Sequence, residues 1–85
     1  MDFVLSILDF FDSALDKKEF PVEDFNSTYF CMSEYHFNNI VRIMVDDGLI
    51  SGIDIGTYID GEVNILIISP IITIKGLEFL HKYSR

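Results

Sequence analysis

The sequence predicts an α+β domain of winged helix-turn-helix type: three helices, a two-stranded hairpin wing and a C-terminal helix, within a single domain over residues 1–85. Three observations carry this. SEYHFNNIVRIMVDDG runs from an N-cap serine, Ser33, through one amphipathic helix to a stop at Gly48. Asp60-Gly61 then parts two apolar runs, Leu49–Ile59 and Glu62–Ser69, as a hairpin turn does. After Pro70, Thr73 opens a last amphipathic segment.

In the first segment Phe3, Val4, Ile7, Leu8, Phe10, Phe11, Ala14 and Leu15 fall on one arc at about 100° per residue. Asp2, Ser6, Asp9, Asp12, Ser13 and Asp16 take the other arc, and Leu5 alone breaks the pattern. Asp2 is the expected N-cap, with Lys17 and Lys18 at the cation-favouring end. Pro21-Val-Glu-Asp-Phe starts a short second helix, and Asn26-Ser27-Thr28 reads as a turn. Tyr29 to Met32 is apolar without a period, and Cys31 within it is expected to be buried.

The third helix buries Phe37, Ile40, Val41, Met44 and Val45, leaving Tyr35, Asn38, Asn39, Arg42 and Asp46 as the opposite stripe. In the hairpin, Leu49, Ile53, Ile55 and Ile59 share a face opposed by Val63, Ile65 and Ile67, while Leu66 and Ile68 point away. Pro70 is expected to end the ladder. The last helix, Ile74 to about Ser84, places Leu77, Leu80 and Tyr83 inward.

An apolar fraction of 49% is ample for a core in 85 residues, although a chain of this size buries only roughly 60–65% of its unfolded surface. A lone cysteine cannot form an internal disulfide, the N-terminus is acidic where a signal peptide is basic, and Ile65–Ile72 is too short to span a bilayer. A cytoplasmic protein follows from these. Cys31 and His36 lack a third catalytic partner, and the histidines lack the companions of a zinc site. Neither a P-loop nor GxGxxG occurs, so no enzyme, metal or cofactor is expected.

FNNIVRIMVDDGLISGI, the hairpin, and Ile72-Thr73-Ile74-Lys75-Gly76-Leu77-Glu78-Phe79-Leu80 together resemble the YjcQ-like family of small winged-helix proteins. That family is found in Gram-positive bacteria and largely in their phages and prophages, and its last helix opens on an I/L-T-x-x-G-x-x-Y/F-L signature. The resemblance implies a fold and a phage setting; it carries no catalytic residues.

Charge decides what this fold is expected to bind. Duplex readers gain most of their non-specific affinity from phosphate contacts. Here 14 acidic side chains face six basic ones, for a net charge of −8, and the basic residues are scattered over separate elements. Asn38, Asn39 and Arg42 are base-reading types, but Glu34 and Asp46 bracket them. The expected role is therefore protein binding, through Tyr35, Asn38, Asn39 and Arg42 or through the aspartate row Asp9, Asp12 and Asp16. A host nuclease or polymerase with a basic channel is the expected partner, the aspartates standing in for phosphates, with anti-CRISPR or other anti-defence inhibition as one concrete form. The alternative is a transcriptional regulator whose third helix enters the major groove. Leu5, Leu66 and Ile68 are surplus apolar residues that point to a homodimer.

Overall fold

The computed structural model describes residues 3–83. The elements follow in the order α1 (Phe3–Ala14), a 3₁₀ turn (Val22–Asp24), α2 (Glu34–Asp46), β1 (Ile50–Thr57), β2 (Val63–Ile72) and α3 (Ile74–Tyr83). This is the winged-helix layout, with α2 as the predicted third helix and the two antiparallel strands as the wing. The predicted second helix is the single 3₁₀ turn. One core gathers Ile7, Leu8 and Phe11 of α1, Phe37, Val41 and Met44 of α2, Ile50 and Ile53 of β1, Ile72 of β2 and Leu80 of α3.

Helix α1 stops one residue before Leu15. The amides of Leu15, Asp16 and Lys17 donate to carbonyls three residues back, so the last turn tightens into 3₁₀ geometry and Leu15 swings out to solvent. Leu15 is thus exposed, contrary to its place on the apolar arc. Leu5, read as surplus, is half-buried and packs against the core. The expected cap at Asp2 lies outside the described residues.

Between α1 and α2 the backbone is irregular, and aromatic rings hold it. Phe10 meets Phe20, Phe25, Tyr29 and Phe30 with centroids 5.4–5.8 Å apart. Phe25 then reaches Phe37 of α2 at 5.1 Å. Asn26 fixes the turn itself: its Nδ2 donates to Glu23 O and its Oδ1 accepts from Tyr29 N. Cys31 is exposed rather than buried, at φ 60°. The chain must reverse after the buried Phe30, and the left-handed residue that turns it carries its side chain outward.

Helix α2 begins as read, with Ser33 Oγ accepting from His36 N. Its end is a Schellman motif: Gly48 N donates to Val45 O and Leu49 N to Met44 O. The start of α3 closes over the carbonyls left there. Thr73 Oγ1 lies 2.5 Å from Gly48 O and 3.0 Å from Leu49 O, and Lys75 Nζ donates to Asp47 O. The same Thr73 Oγ1 accepts from Gly76 N, capping α3. Gly76 is forced by this contact, since a Cβ there would stand 2.1 Å from Leu49 O. Leu80 is buried as expected, but Tyr83 is 55% exposed, and Phe79 takes the inward place against the core. Helix α3 ends at Tyr83, whose ring lies 4.7 Å from that of Phe79.

The hairpin departs from the alternating pattern in two places. Tyr58 N donates to Glu62 O and Gly61 N to Tyr58 O, closing a three-residue loop of Ile59, Asp60 and Gly61. Ile59 is therefore fully exposed at the tip instead of lying on the core face. Pro70 does not end the ladder, for β2 continues to Ile72. Pairing passes from Ile53↔Ile67 to Ser51↔Ile71, so Gly52 alone opposes Ile68, Ser69 and Pro70 in a bulge. A proline fits where no ladder hydrogen bond is asked of it. Gly52 holds φ +80° because β2 crosses directly over it; a Cβ would fall 1.7 Å from Ser69 O. Across the bulge both strands change phase, which brings Ile50 and Ile72 to the core beside Ile53 and Ile67.

Candidate functional site: the groove between the recognition helix and the wing

The stripe predicted on the third helix divides into two parts. Asn38 is half-buried, and its Nδ2 donates to Val63 O, the first residue of β2, at 3.2 Å. It ties the helix to the wing. Asn39 turns inward on its own helix, donating to Tyr35 O and accepting from Arg42 Nη2 at 3.3 Å. Arg42 also stands 3.6 Å from Asp46. The base-reading types are thus each occupied locally, and Tyr35, 65% exposed, is the open member of the four.

The tie between Asn38 and Val63 sets the floor of a groove of about 360 Å³. One wall is the first turn of α2, with Glu34 and Tyr35; the other is the wing, with Tyr58, Glu62 and Asn64. Glu34 and Glu62 are both exposed, Tyr58 is 56% exposed, and no lysine or arginine lines the groove. Asp60 Oδ1 accepts from Glu62 N, which fixes the loop beside it. The wall chemistry is two carboxylates, two phenol rings and two amides. Carboxylates can pair with a guanidinium or ammonium group, and phenol rings can attract one through their faces.

Asn38, Tyr35 and the wing come together here although they are distant in sequence. Tyr58 and Asn64 were not among the residues singled out from the sequence. The signal for Tyr58 was its position just before the Asp-Gly turn, where an aromatic residue leaves the alternating pattern. Nothing in the sequence foretold the Asn38 hydrogen bond.

The aspartate row on α1 lies elsewhere and is not continuous. Asp9 is exposed and Asp12 half-buried, both lining a groove shared with α3, where His81 and Lys82 stand opposite. Asp9 also borders a second groove together with Lys17 and Asp24. Asp16 sits exposed on the turn after the helix. Cations therefore flank the row at both margins. Among the described residues no group of three or more His, Cys, Asp or Glu could hold a metal ion. No helix among them is long and apolar enough to cross a membrane.

Compared with known proteins, residues 5–85 match the family model described as YjcQ protein. Neither a curated protein nor a solved structure matches the chain.

Proposed function

We propose, for a chain that belongs to the YjcQ protein family, that it acts by binding a basic surface of another protein in the groove between α2 and the wing. The observation that carries this is the groove's lining: Glu34, Glu62, Tyr35 and Tyr58, with no lysine or arginine among them. In a duplex reader the same place meets the phosphate backbone and presents cations to it. Here it would repel phosphate and attract Arg or Lys side chains. Arg42 is the one lysine or arginine of α2 and is outnumbered there by Glu34 and Asp46, so the helix offers phosphate no net positive charge, which weakens the case for a transcriptional regulator.

A partner with a basic nucleic-acid channel fits this chemistry. In the phage setting that the resemblance implies, that partner is a host nuclease or polymerase, and occupying its channel inhibits it without catalysis. Anti-CRISPR action is one form of such inhibition, carried out in the host cytoplasm.

The test is a pair of titrations at about 0.15 M salt, one with random-sequence duplex DNA and one with an arginine-rich peptide. The duplex should not bind. The peptide should bind, and Glu34→Lys with Glu62→Lys should abolish that binding while Asp16→Lys leaves it within about twofold. Micromolar duplex binding with a steep salt slope overturns the reading in favour of the regulator. Equal loss from all three charge reversals reduces the groove to a share of the net charge.

A further inference from the structure

We propose that the groove between α2 and the wing selects arginine over lysine, taking a guanidinium flat against a tyrosine ring while its edges reach acceptors. The selectivity rests on the groove being the site for a basic surface, and adds which side chain enters. Each wall offers one ring and one carboxylate: Tyr35 and Glu34 on α2, Tyr58 and Glu62 on the wing. Both rings are more than half exposed, at 65% and 56%, so their faces are open to a ligand. The floor adds a third acceptor. Only a donor can face the Val63 carbonyl, so the Asn38 amide must turn its Nδ2 there, at 3.2 Å. Its Oδ1 is left for the groove: no donor among the described residues occupies that oxygen, and it is not sealed from solvent.

Carboxylates alone do not choose between the two cations, since either pairs with them. Rings and a spread of acceptors do. An ammonium is a compact, strongly hydrated charge whose donors sit on a single atom. A guanidinium is planar and more weakly hydrated, and all its donors lie in its plane. Its faces and its edges can therefore be used at once, a face on a phenol ring and the edge N–H groups on acceptors beside it. The groove is built from those two kinds of partner, and no lysine or arginine lines it to compete for the acceptors. An ammonium reaching the same carboxylates keeps much of its water and draws less from the ring faces. The space of about 360 Å³ is the room of roughly a dozen waters. It takes one long side chain at a time, standing out from the partner's surface.

Hexa-arginine and hexa-lysine carry equal charge, so titrating each into the full chain at about 0.15 M salt separates recognition of the group from attraction to its charge. Hexa-arginine should bind about tenfold more tightly. Tyr35→Ala with Tyr58→Ala should weaken hexa-arginine about tenfold or more and leave hexa-lysine within about twofold, bringing the ratio close to one. Both side chains are exposed, so the melting temperature of the double variant should stay within a few degrees of the parent. The wild-type protein supplies a check that needs no variant: hexa-arginine should move the side-chain amide resonance of Asn38 and the ring resonances of Tyr35 and Tyr58. Equal affinity for the two peptides overturns the selectivity while the groove stands as a site for basic groups in general. Failure of both peptides to bind removes the proposed binding role and the selectivity with it. A preference that survives the double substitution, or shifts centred on Asp9 and Asp12, overturns the selectivity by placing it outside this groove.

Discussion

Residues 15–32 and residues 47–76 both contain stretches without helix, yet they are held by different means. In the first, rings do the holding: Phe10, Phe20, Phe25 and Phe30 meet one another and Phe37 at angles from stacked to edge-on. Ring contacts depend on burial and loosely on angle, so they hold an irregular chain without demanding any one backbone geometry. In the second, backbone approaches backbone. Thr73 and Lys75 bond the carbonyls at the end of α2, while Gly52 and Gly76 leave room for oxygens that a side chain would strike. A ring cluster can be built from several aromatic residues in several orders. The clasp admits particular residues at particular positions.

That difference explains the family signature. Within Ile72-Thr73-Ile74-Lys75-Gly76-Leu77-Glu78-Phe79-Leu80, Ile72 and Leu80 are buried, Phe79 packs on the core, Thr73 caps α3 and bonds α2, and Gly76 permits the crossing. Each of these roles is structural. The motif marks the fold, and the binding proposed above draws on other positions, chiefly Glu34, Tyr35, Tyr58 and Glu62.

The largest effect expected from breaking the comparison is at Gly76. Gly76→Val sets a Cβ 2.1 Å from Leu49 O and 2.8 Å from Ile72 Cγ1, and the first of these is backbone that cannot step aside. A cost above about 4 kcal/mol is expected, a large share of the roughly 5–15 kcal/mol that holds a domain together, so the melting midpoint should fall by at least about 15 °C. Gly61→Ala is the contrast: unlike Gly76 it stands at positive φ, +88°, but a Cβ there meets nothing within 4 Å, so circular dichroism should show a folded protein with a modestly lower midpoint.

The ring cluster should answer differently. Phe25 is 4% exposed and touches Phe10, Phe11, Phe20, Phe30 and Phe37, so Phe25→Ala should cost about 3–5 kcal/mol by urea unfolding. Phe25→Leu keeps most of the volume and should cost less than half as much, since neighbouring rings can shift toward it. A Leu variant as unstable as the Ala variant would show that ring geometry, and not burial, fixes this half.

Legibility in the sequence followed the same division. Ser33, Gly48, Asp60-Gly61 and Thr73 signal through local chemistry, namely caps and turns, and each stands where its residue type requires. Pro70, Ile59, Leu15 and Cys31 were misplaced because the deciding term was tertiary. A bulge carried β2 past Pro70, a three-residue loop put Ile59 at the tip, and the buried Phe30 turned Cys31 outward. At the site, exposure of Tyr35 was legible from helical period, whereas the Asn38 bond to Val63 links positions 25 apart and left no local trace.

The smallest expected effect on stability tests the face that the clasp and the cluster leave free. Tyr35 is 65% exposed, and the Arg42–Asp46 pair is an exposed i,i+4 contact worth at most a few tenths of a kcal/mol. Tyr35→Ala with Arg42→Glu adds a like-charge pair of about the same size, so the double variant should melt within a few degrees of the parent. Tyr and Arg dominate interface hot spots, and Tyr35 forms a wall of the acidic groove. Loss of peptide binding of about tenfold is therefore expected from Tyr35→Ala, while Arg42→Glu, outside the groove lining and adding negative charge, should not weaken binding of a basic peptide. A double variant that binds as the parent does would move the interface to the α1 groove at Asp9 and Asp12, where Asp9→Lys becomes the informative substitution. One that unfolds would mean instead that α2 is packed on both faces, against the exposure of Tyr35, Asp46 and Ile43.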